Sequence, residues 1–358
     1  MAISSASRLL IQPAIFHGEA AAGGGSIREE ALPPKILILF SKAAENLSVR
    51  TACESQGACI LQLNYEVEEI DPKVLEVEID SIIARSHKAE PLPQQILGAE
   101  CASVQKIKAI AQVAFEVCDG VLLPGGASIL PKFYGQVFAE DEERHGYSMD
   151  SRRIVFELAL TEACFKKHKP LLGICRGHQL IHIYKGGCLD RCSVKEFQQH
   201  RIRSIKACVE ASVGMLGALP RNVYFYHQQT VVRSGEGFRS LAKIEALKDM
   251  EAERRRLDQE RQLMRELIDP EDALGQLAGL EASCAFRERH IEPSLRFLEL
   301  EGIVMASESL EAPVMSVQYH PEYMKPGHAG EGQVEANLVV FARLVEMAKT
   351  HRLARTGF

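Results

Sequence analysis

The sequence predicts an α/β fold: a mostly parallel β-sheet flanked by helices, with a helical insertion near the C-terminal third. Three observations carry the prediction. Short apolar runs such as Ile36-Leu-Ile-Leu-Phe40 and Leu171-Leu-Gly-Ile174 alternate with helix-length amphipathic segments, which is the pattern of β-α-β units. Glycine-containing turns follow the carboxyl ends of such runs, where open α/β sheets hold their ligands. A stretch that is mostly charged, residues 248–261, interrupts the alternation late in the chain.

Composition sets the outer bounds. With 358 residues and 46% hydrophobic content the chain can bury a sizeable core, as one large domain or one domain with an appendage. A net charge of −6 gives no electrostatic case for nucleic acid or an anionic membrane. No run approaches the ~18 apolar residues that a membrane span needs. Ten scattered cysteines without a C-x-x-C pair fit reduced thiols, so a soluble, cytoplasmic protein is expected.

Residues 1–34, rich in Ser, Ala and Gly and punctuated by Gly23-Gly-Gly25 and Pro33-Pro34, read as a tail. The apolar run Leu9 to Phe16 is broken by Gln12 and Pro13 and makes a poor signal peptide. Ile36–Phe40 and Ala58–Leu63 are the first two strands, with a helix over about 46–56 between them. Residues 65–97 carry acids and prolines with few clear periods, and only 74–84 suggest a helix. From Cys101 to Val117 a helix places Val104, Ile107, Ala111 and Ala114 on one face, and it feeds a third strand, Asp119–Pro124. Gly125-Gly126 follow that strand. A further helix starts at Asp150-Ser151 and ends on the basic run Lys166-Lys-His-Lys169, which suits its dipole; Pro170 stops it.

The stretch Pro170-Leu-Leu-Gly-Ile-Cys-Arg-Gly-His-Gln-Leu180 organises the rest. Leu171–Ile174 reads as a buried strand, 178–184 as the following helix, and Cys175 sits at the joint. Gly173 and Gly177 flank it two residues away on each side, the spacing of a sharp strand-to-helix turn in which side chains would collide. Such a turn lifts the sulfur clear of the sheet and leaves the Arg176 N–H free to bind an oxyanion. Far downstream, Ser316-Val-Gln-Tyr-His-Pro-Glu-Tyr323 ends an apolar strand. Pro321 keeps His320 out of the helical region, so His320 and Glu322 are expected to leave an extended backbone on the same side. Cys175, His320 and Glu322 then fit the nucleophile, base and orienter of acyl transfer. A zinc site of His178, His182, Cys188 and Cys192 is the competing use of the helix after the elbow. Packing beneath the elbow already accounts for that helix, and Gly186-Gly187 separates the two pairs, so no metal is expected.

Gly173-Ile-Cys-Arg-Gly177 with Gln179, and Gln318-Tyr-His-Pro-Glu322, resemble the class I glutamine amidotransferase superfamily. The stretch from Asp119 through Pro124-Gly-Gly-Ala-Ser128 to Tyr134-Gly135 narrows the resemblance to its peptidase C26 branch, the γ-glutamyl hydrolases. The resemblance implies a flavodoxin-like sheet and a cysteine hydrolase that cleaves γ-glutamyl amide bonds through a glutamyl thioester, with a small-molecule γ-glutamyl substrate and no cofactor. It implies catalysis by Cys175, His320 and Glu322, with the amides of Gly126 and Arg176 forming the oxyanion hole. Gly125, Gln179 and His227 would stand at the substrate, and His200 matches a substrate-side place less well. Two alternatives stay open: a glutaminase subunit supplying ammonia to a separate synthetase, and a partner-binding protein. Tyr319 stands where the family usually has Trp, and Ser151-Arg152 where an Arg-Asp pair is common.

The expected domain comprises 35–243 and 299–350, with 244–298 as a charged helical insertion. In it Met250, Leu257 and Met264 fall seven apart, Pro270 ends a first helix, and a second runs over about 272–289. Residues 248–296 are the candidate surface for a protein partner. A last helix carries Val334, Leu338, Phe341 and Val345 on one face.

Overall fold

The computed structural model describes residues 11–13, 32–40, 47–87, 89–136, 147–191, 205–209, 222–223, 229–244, 304–323 and 331–356. Its strands are β1 (Ile11–Pro13), β2 (Lys35–Phe40), β3 (Cys59–Asn64), β4 (Gly120–Leu123), β5 (Leu171–Ile174), β6 (Cys188–Arg191), β7 (Ile205–Val209), β8 (Asn222–Val223), β9 (Gln229–Arg233), β10 (Phe238–Ile244), β11 (Val304–Ser309) and β12 (Val314–Val317). The helices are α1 (Leu47–Ser55), α2 (Pro72–Ala84), α3 (Leu92–Gly98), α4 (Ala102–Glu116), α5 (Ser151–Lys167), α6 (Arg176–Tyr184) and α7 (Glu331–Thr356).

The main sheet runs β1-β3-β2-β4-β5-β12-β11-β10-β7-β8, and β6 pairs with β9 separately. Its centre, β3-β2-β4-β5-β12, is wholly parallel. In order of appearance these five strands stand 2-1-3-4-5, the flavodoxin-like arrangement, and antiparallel strands extend it on both sides. Side chains of successive strand residues point to opposite faces, so Leu37 and Leu39 enter one core with α2, α4 and α5. Ile36 and Ile38 enter a second core with α1 and α7. Burial on both faces is why these strands read as continuous apolar runs rather than alternating ones.

Two stretches differ from the sequence expectation. Residues 65–97 hold two helices. Asp71 Oδ1 accepts from the Lys73 N–H at 2.8 Å and Pro72 occupies the first turn of α2, while α3 is only seven residues long and opens on Pro91. A helix of seven residues leaves little periodicity to read. Within the expected tail, Ile11–Pro13 pairs antiparallel with β3 as an edge strand, a place that tolerates a proline. Lys243 on β10 lies opposite Val304 on β11, so the described strand ends on either side of 245–303 are adjacent in the sheet. The helices expected between them, with His200 and His227, lie outside the described residues. Among the described residues no helix is long and apolar enough to cross a membrane.

Candidate active site

Cys175 has φ 50° and ψ −101°, a positive-φ conformation that costs a non-glycine residue about 1–3 kcal/mol. The surroundings hold it there. Its N–H donates to the Val317 carbonyl at 2.8 Å, and its carbonyl accepts from the Gln179 N–H at 3.1 Å. The flanking glycines let the turn seat directly on the sheet. A methyl on Gly177 would fall 2.2 Å from the Leu123 carbonyl oxygen, and one on Gly173 would fall 2.7 Å from the Gly177 carbonyl carbon. Because α6 begins at Arg176, its first N–H groups have no intrahelical acceptor and open beside Cys175.

Val317 of β12 is in register with Ile174 of β5, so the chain leaving β12 passes beside the elbow. There the backbone differs from the expected extended form: Pro321–Tyr323 is a 3-10 turn, opened by the proline. The pairing survives this change, with His320 Nδ1 2.8 Å from Glu322 Oε1. A carboxylate only accepts, so Nδ1 carries the proton and Nε2 is left for the chemistry. Gly125 brings the His320 ring and Cys175 together. A methyl there would sit 2.7 Å from His320 Cε1 and 3.6 Å from Cys175 Cβ. Burial pushes the His320 pKa down, but the adjacent Cys175 and the Glu322 carboxylate outweigh it and hold it well up, at about 11.

A cavity of about 290 Å³ opens over this pair, lined by Ser48, Tyr65, Gly125, Gly126, Arg153 and His320 among others. Cys175, 3% exposed, does not line it, but a methyl on Gly125 in its wall would fall 3.6 Å from Cys175 Cβ. Gly126 is at φ 153°, and a methyl on it would strike the Arg153 guanidinium at 2.5 Å. The structure thus brings Cys175, His320, Glu322, Gly125, Gly126 and Arg176 to one place. It turns Gln179 elsewhere: its Nε2 donates to the Gln229 carbonyl at 2.5 Å and to Gln318 Oε1 at 3.2 Å, and its side chain does not line the cavity.

Sequence reasoning missed an ion cluster on α5. Glu157, fully buried, accepts from Arg153 Nε at 2.9 Å through one oxygen and from Arg176 through the other. The signal was present, since Arg153 and Glu157 are the charged residues of an otherwise apolar run from Arg153 to Leu160. It is Arg153, not Arg152, that turns inward; Arg152 pairs with Asp150.

The candidate zinc ligands are used otherwise. His182 Nδ1 accepts from the Gly235 N–H at 3.0 Å, so its Nε2–H donates to Ser307 Oγ at 2.9 Å. Ser307 and Ser316 hydroxyls lie 2.8 Å apart, and Ser316 Oγ is 2.8 Å from His178 Nδ1. The His178 Nε2–H then donates to the Val304 carbonyl at 3.0 Å. All four ring nitrogens are engaged, and burial pushes His182 down to about 3, which keeps it neutral. Among the described residues no group of three or more ligand side chains could hold a metal. Cys192 lies outside them. None of the seven described cysteines, Cys175 and Cys188 included, is in a disulfide.

A strained strand-to-helix cysteine beside a His–Glu pair at the carboxyl edge of a 2-1-3-4-5 sheet fits the nucleophile, base and orienter of acyl transfer. In comparison with known proteins, residues 101–257 match the peptidase C26 family, a match that covers the glycine loop and the elbow and stops short of His320. The chain is 33% identical over 149 residues to the glutamine amidotransferase-like protein YvdE of Lactococcus lactis, covering 37% of this chain and 61% of that one. It is 34% identical over 86 residues to gamma-glutamyl-gamma-aminobutyrate hydrolase of Escherichia coli O157:H7, covering 23% of this chain and 32% of that one. A solved structure from Thermoplasma acidophilum, described as part of a GMP synthase, is 12% identical with a TM-score of 0.46, covering 90% of this chain and 98% of that one. The chain therefore spans less than two thirds of the length of these curated relatives.

Proposed function

We propose that the protein hydrolyses γ-glutamyl amide bonds with Cys175 as nucleophile. Cys175 attacks the γ-carbonyl carbon as the thiolate, and the carbonyl electrons move to oxygen, where the N–H groups of Gly126 and Arg176 receive the charge. Collapse of this intermediate breaks the C–N bond, and the leaving amine takes its proton from His320. Water then gives a proton to His320 and attacks the thioester, and expulsion of the Cys175 sulfur releases glutamate. Glu322 keeps the ring oriented and stabilises its protonated form. No step requires a metal or an organic cofactor.

The observation that carries this reading is that Cys175, held at positive φ, and the His320 ring both lie against Gly125, with the Cys175 side chain hydrogen-bonded to the ring. A cavity that offers the hydroxyls of Ser48, Tyr65 and Ser148 beside the His320 ring also suits the polar amino-acid head of a γ-glutamyl group. The match of residues 101–257 to the peptidase C26 family and the partial likeness to a γ-glutamyl hydrolase support the same class of substrate.

The test is mass spectrometry of the intact protein, acid-quenched after brief exposure to γ-glutamyl amines, γ-glutamyl peptides and free glutamine. A glutamyl adduct on Cys175 is expected with γ-glutamyl amines or peptides. An adduct with glutamine alone assigns the protein to ammonia supply, and none with any of them contradicts the proposal.

A further inference from the structure

The loop that would form the oxyanion hole has no means of its own to hold its shape. Gly125 and Gly126 are consecutive, neither has a Cβ to restrict rotation, and the peptide between them can in principle present either its carbonyl or its N–H to the cavity. Both carbonyls that frame this loop are bound by arginines. Arg153 donates from one terminal nitrogen to the Gly125 carbonyl at 2.8 Å, and Arg176 donates through Nε to the Ala127 carbonyl at 2.9 Å. There is no cis peptide among the described residues, and across a trans peptide the C=O and N–H point in opposite directions. Fixing the Gly125 oxygen on Arg153 therefore fixes the Gly126 N–H pointing away from it.

The two arginines are in turn joined by one carboxylate. Glu157 takes Arg153 with Oε1 and Arg176 with Oε2, and the three side chains are 6%, 1% and 0% exposed for Arg153, Arg176 and Glu157. Burial pulls the Arg176 guanidinium down to about 10 against the pull of Glu157, so it keeps its charge at neutral pH. Two cations and one anion buried together are an expensive way to fill a core, since apolar side chains of similar volume commonly serve stability as well or better. What apolar side chains could not supply is the pair of donors to the Gly125 and Ala127 carbonyls. Arg176 also follows the nucleophile directly, so one cluster ties the glycine loop to the turn that carries the sulfur.

We infer that Arg153, Glu157 and Arg176 form a positioning clamp that sets the orientation of the Gly125–Gly126 peptide and so builds the oxyanion hole. The inference rests on the hydrolase reading above. The three are positioning residues: they act on the reaction through the backbone of the loop. A clamp that sets one donor governs the stabilisation of the tetrahedral intermediate and leaves substrate binding and the Cys175–His320 pair alone.

Two conservative variants test it, Arg153→Lys and Arg176→Lys. Each keeps the positive charge opposite Glu157 and removes the fork that reaches both the carboxylate and a loop carbonyl. Three readouts are taken on the folded full-length protein: kcat and KM with γ-glutamyl-p-nitroanilide, the acyl adduct with free glutamine, and the rate of Cys175 alkylation by iodoacetamide, which needs the thiolate but no oxyanion hole. The clamp predicts that kcat falls by about 100-fold, the scale of losing one oxyanion donor, with KM and the alkylation rate unchanged. Either variant suffices should the other not fold. An unchanged kcat overturns the clamp. So does an alkylation rate that falls in step with kcat, which would mean general damage to the site, and so does a rise in KM at constant kcat, which would make Arg153 a direct substrate contact. A wild-type protein that neither turns over the anilide nor forms an adduct with glutamine sinks the hydrolase reading itself, and the clamp with it. An active wild type with equally active variants sinks the clamp alone.

Discussion

Two buried polar systems flank the helix that follows the nucleophile, and they solve the problem of burial differently. On the cavity side, Glu157 holds two guanidinium groups, an arrangement with formal charges and large desolvation costs. On the sheet side, His182, Ser307, Ser316 and His178 pass donors in a single direction, every member neutral, to the Val304 carbonyl. The neutral relay closes on itself: each donor meets an acceptor, and it pins α6 to β11 and β12 at little cost. The charged cluster spends its remaining donors on a loop. Stability accounts for the relay, while the cluster makes sense only through the backbone it holds.

The charged cluster is most sensitive at Glu157, which holds both guanidinium groups. Glu157→Gln leaves two buried guanidinium groups with a neutral partner, and a loss of about 3–5 kcal/mol is expected in chemical denaturation. Replacing all three members together, Arg153→Met with Glu157→Leu and Arg176→Met, sharpens the point. Stability should return to within about 1 kcal/mol of wild type or exceed it, while turnover stays depressed. Recovery of both would make the cluster an ordinary part of the core. On the neutral side, Ser316→Ala removes the donor to His178 Nδ1 and should cost about 1–3 kcal/mol in the same experiment without reducing kcat.

The two histidine environments also part company with pH. His182 is held well below the ordinary histidine range by burial, so it favours the folded state above about pH 6.5, and this support fades as pH falls toward 3. His320 is held far above that range despite its burial, by Cys175 and Glu322. Its support is complete below about pH 6.5 and fades as pH rises toward its elevated pKa. Stability measured against pH should therefore decline on both sides. Glu322→Gln, which removes one of the groups lifting His320, should move the alkaline decline of kcat/KM to lower pH; an unmoved limb would detach Glu322 from the ring's protonation. This is the smallest of the expected effects.

What the sequence disclosed tracks how local each signal is. The elbow was legible because steric need writes Gly173 and Gly177 around Cys175, and a methyl on either would collide with backbone. The His320–Glu322 pair was legible from spacing alone, although Pro321 builds a 3-10 turn rather than an extended segment. The parallel sheet followed from apolar runs buried on both faces. The clamp was not foreseen because Glu157 and Arg176 are nineteen positions apart and meet only through the fold. Gln179 misled for a related reason: its place on α6 is near Cys175, but its amide finds closer partners in Gln229 and Gln318. His178 and His182 had the spacing of metal ligands, and only the serines of two distant strands show their use as a relay.

The hydrolase activity proposed here depends on the sulfur at the elbow. The direct measurement is release of p-nitroaniline from γ-glutamyl-p-nitroanilide by wild type and by Cys175→Ala, with circular dichroism to establish that the variant is folded. The expected result is turnover by the wild type and none above the uncatalysed rate in the folded variant. Equal turnover by the two proteins would contradict it.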